Sequence, residues 1–270
     1  MRGEQRFSPQ SALTYRNGRL APRFMLISPP TNGYSTNTYP LVGTTMPIAE
    51  ARHESKTKLL QAAIRVIRVK GYTATRIEDV CEAAGLTKGS FFHHFESKDE
   101  LALAAADYWI EGTEAQFGFA SYHELADPLE RLLAYVDFRK ALLTGELPDF
   151  TCLAGTMVQE VYDTHPAIRE ACNRSISGHA ATLMADIEEA MRQRGMRPEW
   201  TAESLALYTQ AALQGAFILA KARGGAAIAA QCIDHLRRYI ELLFEPSPRS
   251  APRRPSGISA TVPKRRRRAK

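Results

Sequence analysis

The sequence has 270 residues, of which 44% are hydrophobic and 24% charged, and it carries a formal net charge of +6. This composition is ordinary for a globular protein of one or two domains. No apolar run approaches the ~18 residues of a membrane helix, and arginines interrupt any signal-peptide core near the N-terminus, so we expect no membrane association. Four cysteines without C-x-x-C spacing favour a reduced, cytoplasmic setting, and we expect neither a metal site nor a cofactor.

The positive charge is concentrated in particular segments. Residues 246–270 contain nine Lys and Arg and no acid, and residues 1–45 contain five Arg and one Glu. Between them, residues 52–98 hold nine basic against five acidic side chains, whereas residues 99–245 hold twelve against twenty-two. A basic segment on an acidic body indicates that only one end of the protein approaches a polyanion.

Composition and periodicity divide the chain into four parts. Residues 1–50 are rich in Ser, Thr, Asn, Gly and Pro and are predicted to be a disordered N-terminal extension; a translation start at Met46 is a further hypothesis. Residues 51–98 and residues 99–245 show helical periodicity almost throughout, which predicts two helical domains. Residues 246–270 are rich in Pro, Ser and Arg and are predicted to be a disordered basic tail.

The first helical part has the local signals of four helices. Apolar residues from Leu59 to Ile67 form one face of a helix that should end at Gly71, and Gly85 should end the second helix. Capping signals begin the second, third and fourth helices: Thr75-x-x-Glu78, Thr87 and Ser97-x-x-Glu100. Two short helices joined by residues 85–87 match the helix-turn-helix arrangement, which places its second helix in the major groove of DNA.

These residues also carry a family resemblance. Residues 75–101 read TRIEDVCEAAGLTKGSFFHHFESKDEL and closely resemble the signature of the TetR/AcrR family of transcriptional regulators, and the match covers residues 55–101. The resemblance implies an N-terminal three-helix helix-turn-helix domain and a C-terminal helical domain for ligand binding and dimerisation. The predicted fold class is therefore all-α.

Contacts with DNA are predicted from the third helix and its surroundings. Gly89 has no side chain and lets this helix come close to the DNA. Side chains on the early, exposed part of the helix should reach base edges or phosphates: Lys88, Ser90 and His93. The resemblance implies phosphate contacts from four further residues: Thr75, Thr87, His94 and Lys98.

Phe92 departs from the family pattern, which usually has a Tyr here with a phosphate-binding hydroxyl. That contact is either lost or replaced by one from His93. Phe91 and Phe95 are expected to pack in the core. Arg76 is placed to reach the DNA backbone or an edge base.

The second helical part should hold a ligand chamber and a dimer interface. Its helices are predicted at residues 127–143, 152–164, 166–194, 199–222 and 226–244. The resemblance implies a homodimer through the last two helices, and an intramolecular core is the alternative. Candidate ligand contacts, each with core packing as the alternative, come from the central helices: Trp109, Phe117, Phe138, Cys152, Met157, Tyr162, His179 and Met184. This set favours an apolar or aromatic effector.

Cys152 raises a separate hypothesis. Residues 150–160 resemble a TetR subgroup with a Gly-Cys-Leu-x-Gly-Asn motif, in which some members sense electrophiles or oxidants through the cysteine. Here Thr151 replaces the Gly and Thr156 replaces the Asn. The dipole of a helix favours the thiolate in its first turn, so electrophile sensing by Cys152 is a hypothesis.

Together these features predict a regulator that binds a double-stranded DNA operator as a homodimer. We expect a repressor that a small apolar or electrophilic effector releases from DNA, and activation stays open as the direction of control. Because the sequence has no phosphate loop, nucleophile elbow or His-Glu-x-x-His motif, an enzyme is not expected. An architectural DNA binder without an effector is the other alternative. The basic tail is either solvated or adds non-specific phosphate contacts.

Overall fold

The computed structural model describes residues 48–245, and within that range every regular element is helical, as predicted. The predicted basic tail and nearly all of the predicted N-terminal extension lie outside the described residues. The first helix begins at Ile48, inside the segment predicted to be extension. A 3-10 turn covers Ser121–Glu124. The α-helices, numbered α1 to α11 in chain order, are Ile48–Lys70, Ile77–Ala84, Lys88–His94, Lys98–Gly118, Pro128–Ala141, Leu147–Phe150, Leu153–Val161, Pro166–Ala181, Met184–Gln193, Ala202–Arg223 and Ala226–Phe244.

Local capping fixes the short helices of residues 51–98, which we call the head. The Thr87 hydroxyl accepts a hydrogen bond from Ser90 N at 3.2 Å, and the Ser97 hydroxyl accepts one from Glu100 N at 3.1 Å. Both predicted N-caps are therefore confirmed. The reciprocal half of the box predicted at Ser97 is shifted by one residue, because the Glu100 carboxylate accepts from Glu96 N at 2.6 Å. Gly85 ends α2 with φ +66°, a left-handed conformation that glycine adopts without steric cost.

The predicted capping box at Thr75 is wrong by one residue. Helix α2 begins after Arg76, whose backbone N–H donates to the Asp79 carboxylate at 2.9 Å. The Thr75 hydroxyl instead donates to the Gly71 carbonyl at 2.6 Å, and its side chain is buried. Thr75 therefore closes the turn after α1.

Two apolar cores organise the described residues. One joins α1, α2 and α3 to the first half of α4, to α7 and to the start of α8, and Leu59, Phe91 and Met157 are completely buried in it. The other joins the end of α4 to α5, α9, α10 and α11. The head therefore shares its core with residues 99–245, which we call the body, and α4 runs through both cores.

The body departs from the predicted helices at two points. A short helix that was not predicted, α6, covers Leu147–Phe150. Residues 166–194 form two helices, α8 and α9, instead of the one predicted. The Thr182 hydroxyl donates to the His179 carbonyl at 2.7 Å, and Leu183 is buried in the second core. A bend at this point lets α9 pack against α5 and α10. Within residues 48–245, no helix combines the length and the apolar character needed to cross a bilayer.

Candidate nucleic-acid interface and ligand cavity

The third helix presents one face to the core and the other to solvent. Phe91 and Phe95 are buried, as predicted, and anchor α3 to α1 and α2. Phe92 is 57% exposed, with its ring in an edge contact with Phe91 at 5.1 Å between centroids. Lys88 and His93 are exposed beside it. An apolar ring flanked by basic groups therefore forms the outer surface of α3.

The polar residues around α3 already have partners within the head. Lys88 forms an ion pair with Glu78, whose pKa is lowered by that hydrogen bond. His94 Nε2 lies 2.7 Å from the Ser55 hydroxyl of α1. Ser90 is half-buried, while Gly89 and Thr87 lie at the exposed start of the helix. Lys88 must exchange its carboxylate partner in order to contact a phosphate.

Lys98 and Thr75 do not lie on the exposed surface of α3. The Lys98 ammonium donates to the Tyr72 carbonyl and to the Thr75 carbonyl, both at 3.2 Å, and lies 4.4 Å from the centre of the Tyr72 ring. Arg76 is exposed and only loosely held by Asp79, at 3.3 Å. In this conformation Lys98 and Thr75 stabilise the turn between α1 and α2, and Arg76 is free to reach outward.

A carboxylate of the body holds the same turn from the other side. Glu160 of α7 accepts hydrogen bonds from the backbone N–H of Tyr72 at 3.2 Å and of Thr73 at 2.8 Å. Gly71 has φ +86°, and a Cβ added there would collide with this carboxylate. The Tyr72 hydroxyl donates to Asp99 at the start of α4 in a short hydrogen bond. The turn thus couples the head to α4 and α7.

A cavity of about 470 Å³ lies between the head and the body. Its wall takes residues from α1 and α2 of the head and from α4, α5, α6, α8 and α10. The volume lies within the range of about 300–1,000 Å³ that small-molecule sites occupy. Four residues predicted as ligand contacts line it: Trp109, Phe117, Cys152 and His179.

The other predicted ligand contacts do not line this cavity. Met157 is completely buried in the core shared by α1, α4 and α7. Tyr162 is 61% exposed at the end of α7. Phe138 packs behind the wall, in an edge contact with Phe117 at 5.3 Å between ring centroids. Met184 packs in the second core. The rotation of each helix relative to its neighbours decides these positions.

A chain of polar groups joins two residues of the cavity wall, Gln210 and His179, through Tyr135. Gln210 of α10 donates to the Tyr135 hydroxyl at 3.1 Å, and that hydroxyl lies 3.0 Å from His179 Nε2. Burial, with a smaller contribution from Arg139, lowers the pKa of His179 to about 3. His179 is therefore neutral near pH 7, and its Nε2 can accept a hydrogen bond from the Tyr135 hydroxyl.

Sequence reasoning missed the basic residues of the cavity wall. Arg68 of α1 and Arg139 of α5 both line it. A signal for Arg68 was present, because it follows Leu60 and Ile64 at four-residue intervals, and both of these are buried. An arginine in that register lies on the inward face of its helix.

The architecture defines a class of protein: a helix-turn-helix head with an exposed recognition helix, joined through a shared core to a helical body that encloses a cavity. Two family models match the chain. Residues 59–105 match that of bacterial regulatory proteins of the tetR family, and residues 128–236 match that of the tetracyclin repressor-like C-terminal domain.

Individual relatives agree with these matches. The HTH-type transcriptional regulator CymR of Pseudomonas putida is 46% identical over 128 residues, which are 47% of this chain and only 61% of CymR. A TetR transcriptional regulator from Chloroflexus aurantiacus superposes with a TM-score of 0.62 and 30% identity, covering 71% of this chain and 96% of that one. A cysteine mutant of the TetR-family regulator CifR, solved with a 26-bp operator duplex, shares the fold with a TM-score of 0.57 and 18% identity, covering 68% and 95%.

The chain belongs to the TetR family of helix-turn-helix transcriptional regulators. This confirms the predicted family and the all-α fold with an N-terminal helix-turn-helix and a C-terminal helical domain. DNA binding and homodimers are typical of the family, and the relatives are regulators rather than enzymes.

Proposed function

We propose that this protein is a repressor that binds a double-stranded operator as a homodimer and leaves it when a small-molecule effector enters the cavity. Such a protein acts in the cytoplasm, where the chromosome is accessible. The observation that carries the proposal is that one cavity is lined by α1 and α2 of the head and by five helices of the body.

DNA binding is supported by the outer surface of α3. Lys88, Phe92 and His93 are exposed together, and Thr87, Gly89, Ser90 and Arg76 surround them. Lysine and histidine can donate to phosphates or base edges, and an exposed aromatic ring suits the methyl group of thymine. Phe92 cannot supply the phosphate-binding hydroxyl that the family pattern has at its position, so that contact is lost or comes from His93.

The homodimer is supported by the outer faces of the last two helices. Large apolar side chains remain exposed along α10 and α11: Leu207, Tyr208, Ile218, Leu219, Tyr239 and Leu242. A two-fold axis through this surface would pair two heads, and adjacent major grooves require recognition helices about 34–36 Å apart. Exposed apolar patches of this kind suit association with a second copy.

Release from DNA requires the effector to bind the two states of the protein with different affinities. An occupant of the cavity contacts α1 and α4 at once, and α4 runs from the head through both cores. A change in the angle of α4 would alter the distance between the two heads of a dimer. The effector would then favour a spacing that does not fit the operator.

An electrophilic effector is a second candidate, and it depends on Cys152. This residue lies on the wall of the main cavity and of an adjacent cavity of about 250 Å³. Its Sγ accepts a hydrogen bond from Gly155 N at 3.3 Å, in the first turn of α7. If quinones or hypochlorite release wild-type protein and the Cys152→Ser variant equally, this candidate is wrong.

Operator binding can be tested with two matched lysine variants. Lys88 on α3 and Lys140 on α5 are both surface lysines paired with a carboxylate, Glu78 and Asp234 respectively. We expect Lys88→Ala to weaken binding to DNA flanking the gene by roughly tenfold or more, which corresponds to about 1.4 kcal/mol. Lys140→Ala should leave affinity unchanged. Fluorescence anisotropy at fixed salt measures both, and equal effects would refute the assignment of α3.

A further inference from the structure

The most unusual group in the cavity wall is the guanidinium of Arg68. Its Nε and Nη2 are both buried and have no hydrogen-bond partner among the described residues. These two nitrogens share one edge of the guanidinium, and their N–H groups point in the same direction. That edge is the fork that binds both oxygens of a carboxylate. Leaving such a group buried and unpaired is costly, so its presence calls for a partner.

The surroundings of Arg68 do not supply that partner. Among the described residues that line the cavity, Lys58, Arg65, Arg68 and Arg139 are basic, and Asp149 is the only carboxylate. Both oxygens of Asp149 are already bound, one by Arg65 at 2.8 Å and the other by Glu146 N at 2.8 Å. Lys58 pairs with Glu54 outside the cavity, and Arg65 pairs with Glu146 and Asp149. Arg68 and Arg139 have no carboxylate partner among the described residues, and a neutral occupant would leave these two charges uncompensated.

The rest of the wall is aromatic. The Arg68 guanidinium lies 4.8 Å from the centre of the Trp109 ring, and that of Arg139 lies 5.3 Å from the Phe117 ring and 5.7 Å from the Phe217 ring. Aromatic faces stabilise these cations in part, and they also offer stacking surfaces to a flat ligand. Burial lowers the pKa of Arg68 to about 10, so the guanidinium is still charged near pH 7.

We propose that the effector is an organic monoanion, a carboxylate on an aromatic body, and that the Arg68 fork binds its carboxylate while Trp109 and Phe117 hold the ring. This rests on the proposed function only in taking the occupant of the cavity to be the effector. It revises the sequence-based expectation of an apolar effector in one respect: the body is apolar, but one end is charged.

The position of Arg68 gives this contact a regulatory consequence. Arg68 belongs to α1 of the head, whereas Trp109 belongs to α4 and Arg139 to α5. Because the Nε–Nη2 edge is covered in this conformation, a carboxylate reaches it only when the side chains around it shift. A bound carboxylate therefore contacts α1 of the head directly and displaces the side chains around Arg68.

The test compares acids with their neutral isosteres. Aromatic monocarboxylates of one to three rings, each paired with its primary carboxamide (2-naphthoate with 2-naphthamide, for example), are titrated into the full chain by calorimetry at concentrations up to about 1 mM. We expect at least one acid to bind roughly 10- to 100-fold more tightly than its amide, the ratio expected for a charge-assisted bidentate contact. If no acid binds more tightly than its amide, the proposal is overturned without any variant.

Three variants test whether Arg68 is responsible for the preference for the acid. Arg68→Gln should remove it, whereas Arg174→Gln, an exposed arginine of α8 paired with Asp107, should keep it. Arg68→Lys keeps the charge without the fork and should retain a smaller preference. If Arg68→Gln is correctly folded and still prefers the acid, Arg68 is not the carboxylate site and the proposal fails.

Operator release distinguishes this proposal from the proposed function. If acids bind through Arg68 but the protein protects no operator, the proposed carboxylate site is supported and the proposed repressor function is wrong. If only neutral compounds release the operator, the repressor stands and the carboxylate site is overturned. Release by acids in the wild type and not in Arg68→Gln supports both.

Discussion

Glu160 connects the body to the head, and replacing it should lower stability measurably. Its carboxylate accepts the backbone N–H groups of Tyr72 and Thr73 at 3.2 and 2.8 Å. In Glu160→Gln one oxygen becomes an NH₂ group, which cannot accept either bond and faces a donor. A hydrogen bond to a charged group contributes about 1.5–3 kcal/mol. Because Glu160 is exposed and water competes for it, we expect a loss of about 1–2 kcal/mol.

Thermal unfolding at a fixed protein concentration measures this change. For a domain of this size, about 1–2 kcal/mol corresponds to a decrease in Tm of roughly 2–8 °C. Glu170→Gln, an exposed carboxylate on α8, is the matched control and should leave Tm unchanged. Gly71→Ala should destabilise the protein more, because φ +86° strains an alanine and its Cβ collides with Glu160. If Glu160→Gln has the same Tm as Glu170→Gln, the contact between Glu160 and the turn after α1 does not stabilise the protein as described.

Four further outcomes are expected. Phe92→Tyr should tighten operator binding by roughly fivefold or more in anisotropy titrations, because it adds a hydroxyl at an exposed position on α3; an unchanged affinity would mean that Phe92 does not lie near a phosphate. Arg68→Met should raise the Tm of the ligand-free protein, since it removes a buried unpaired charge at the cost of a cation–π contact with Trp109 worth about 1 kcal/mol; a lower Tm would show that the guanidinium is compensated. The pKa of His179 is depressed to about 3, against 6.5 in the unfolded chain. As the pH falls from about 6.5 toward about 3, the unfolded state binds a proton that the folded state does not, so the free energy of unfolding should fall by about 1.4 kcal/mol per pH unit. In urea unfolding, the stability of His179→Gln should be less sensitive to acid. Deleting residues 246–270 should reduce the salt dependence of DNA affinity without changing the preferred operator. If the salt dependence is identical with and without these residues, they do not contact DNA.

The head could be predicted from sequence because its signals are local. The caps at Thr87 and Ser97 act on residues three positions away, so the pattern alone contains both partners. Thr75 is the exception. Its hydroxyl could cap the following helix or bind the preceding turn, and in the buried position that Thr75 occupies it donates to the Gly71 carbonyl. That decision involves contacts that no local pattern records.

The cavity could be predicted only in part, because its wall depends on how the helices are rotated. Trp109, Cys152 and His179 were found from residue type and position on central helices, and they line the cavity. Met157 of α7 and Tyr162 at its C-terminal end were predicted on the same grounds, but Met157 is buried in the core and Tyr162 is exposed to solvent. The charge of the cavity was missed because arginines at helix ends usually face water.

Footprinting of the DNA next to the gene, with and without an aromatic monocarboxylate, tests the central claim most directly. We expect two protected half-sites related by two-fold symmetry, with centres about 10 bp or a multiple apart. Protection should be weakened by Lys88→Ala, and the acid should remove it in the wild type. Protection that spreads evenly along the fragment, falls with salt and ignores Lys88→Ala would contradict specific recognition by α3, and with it the assignment of this protein as an operator-binding regulator.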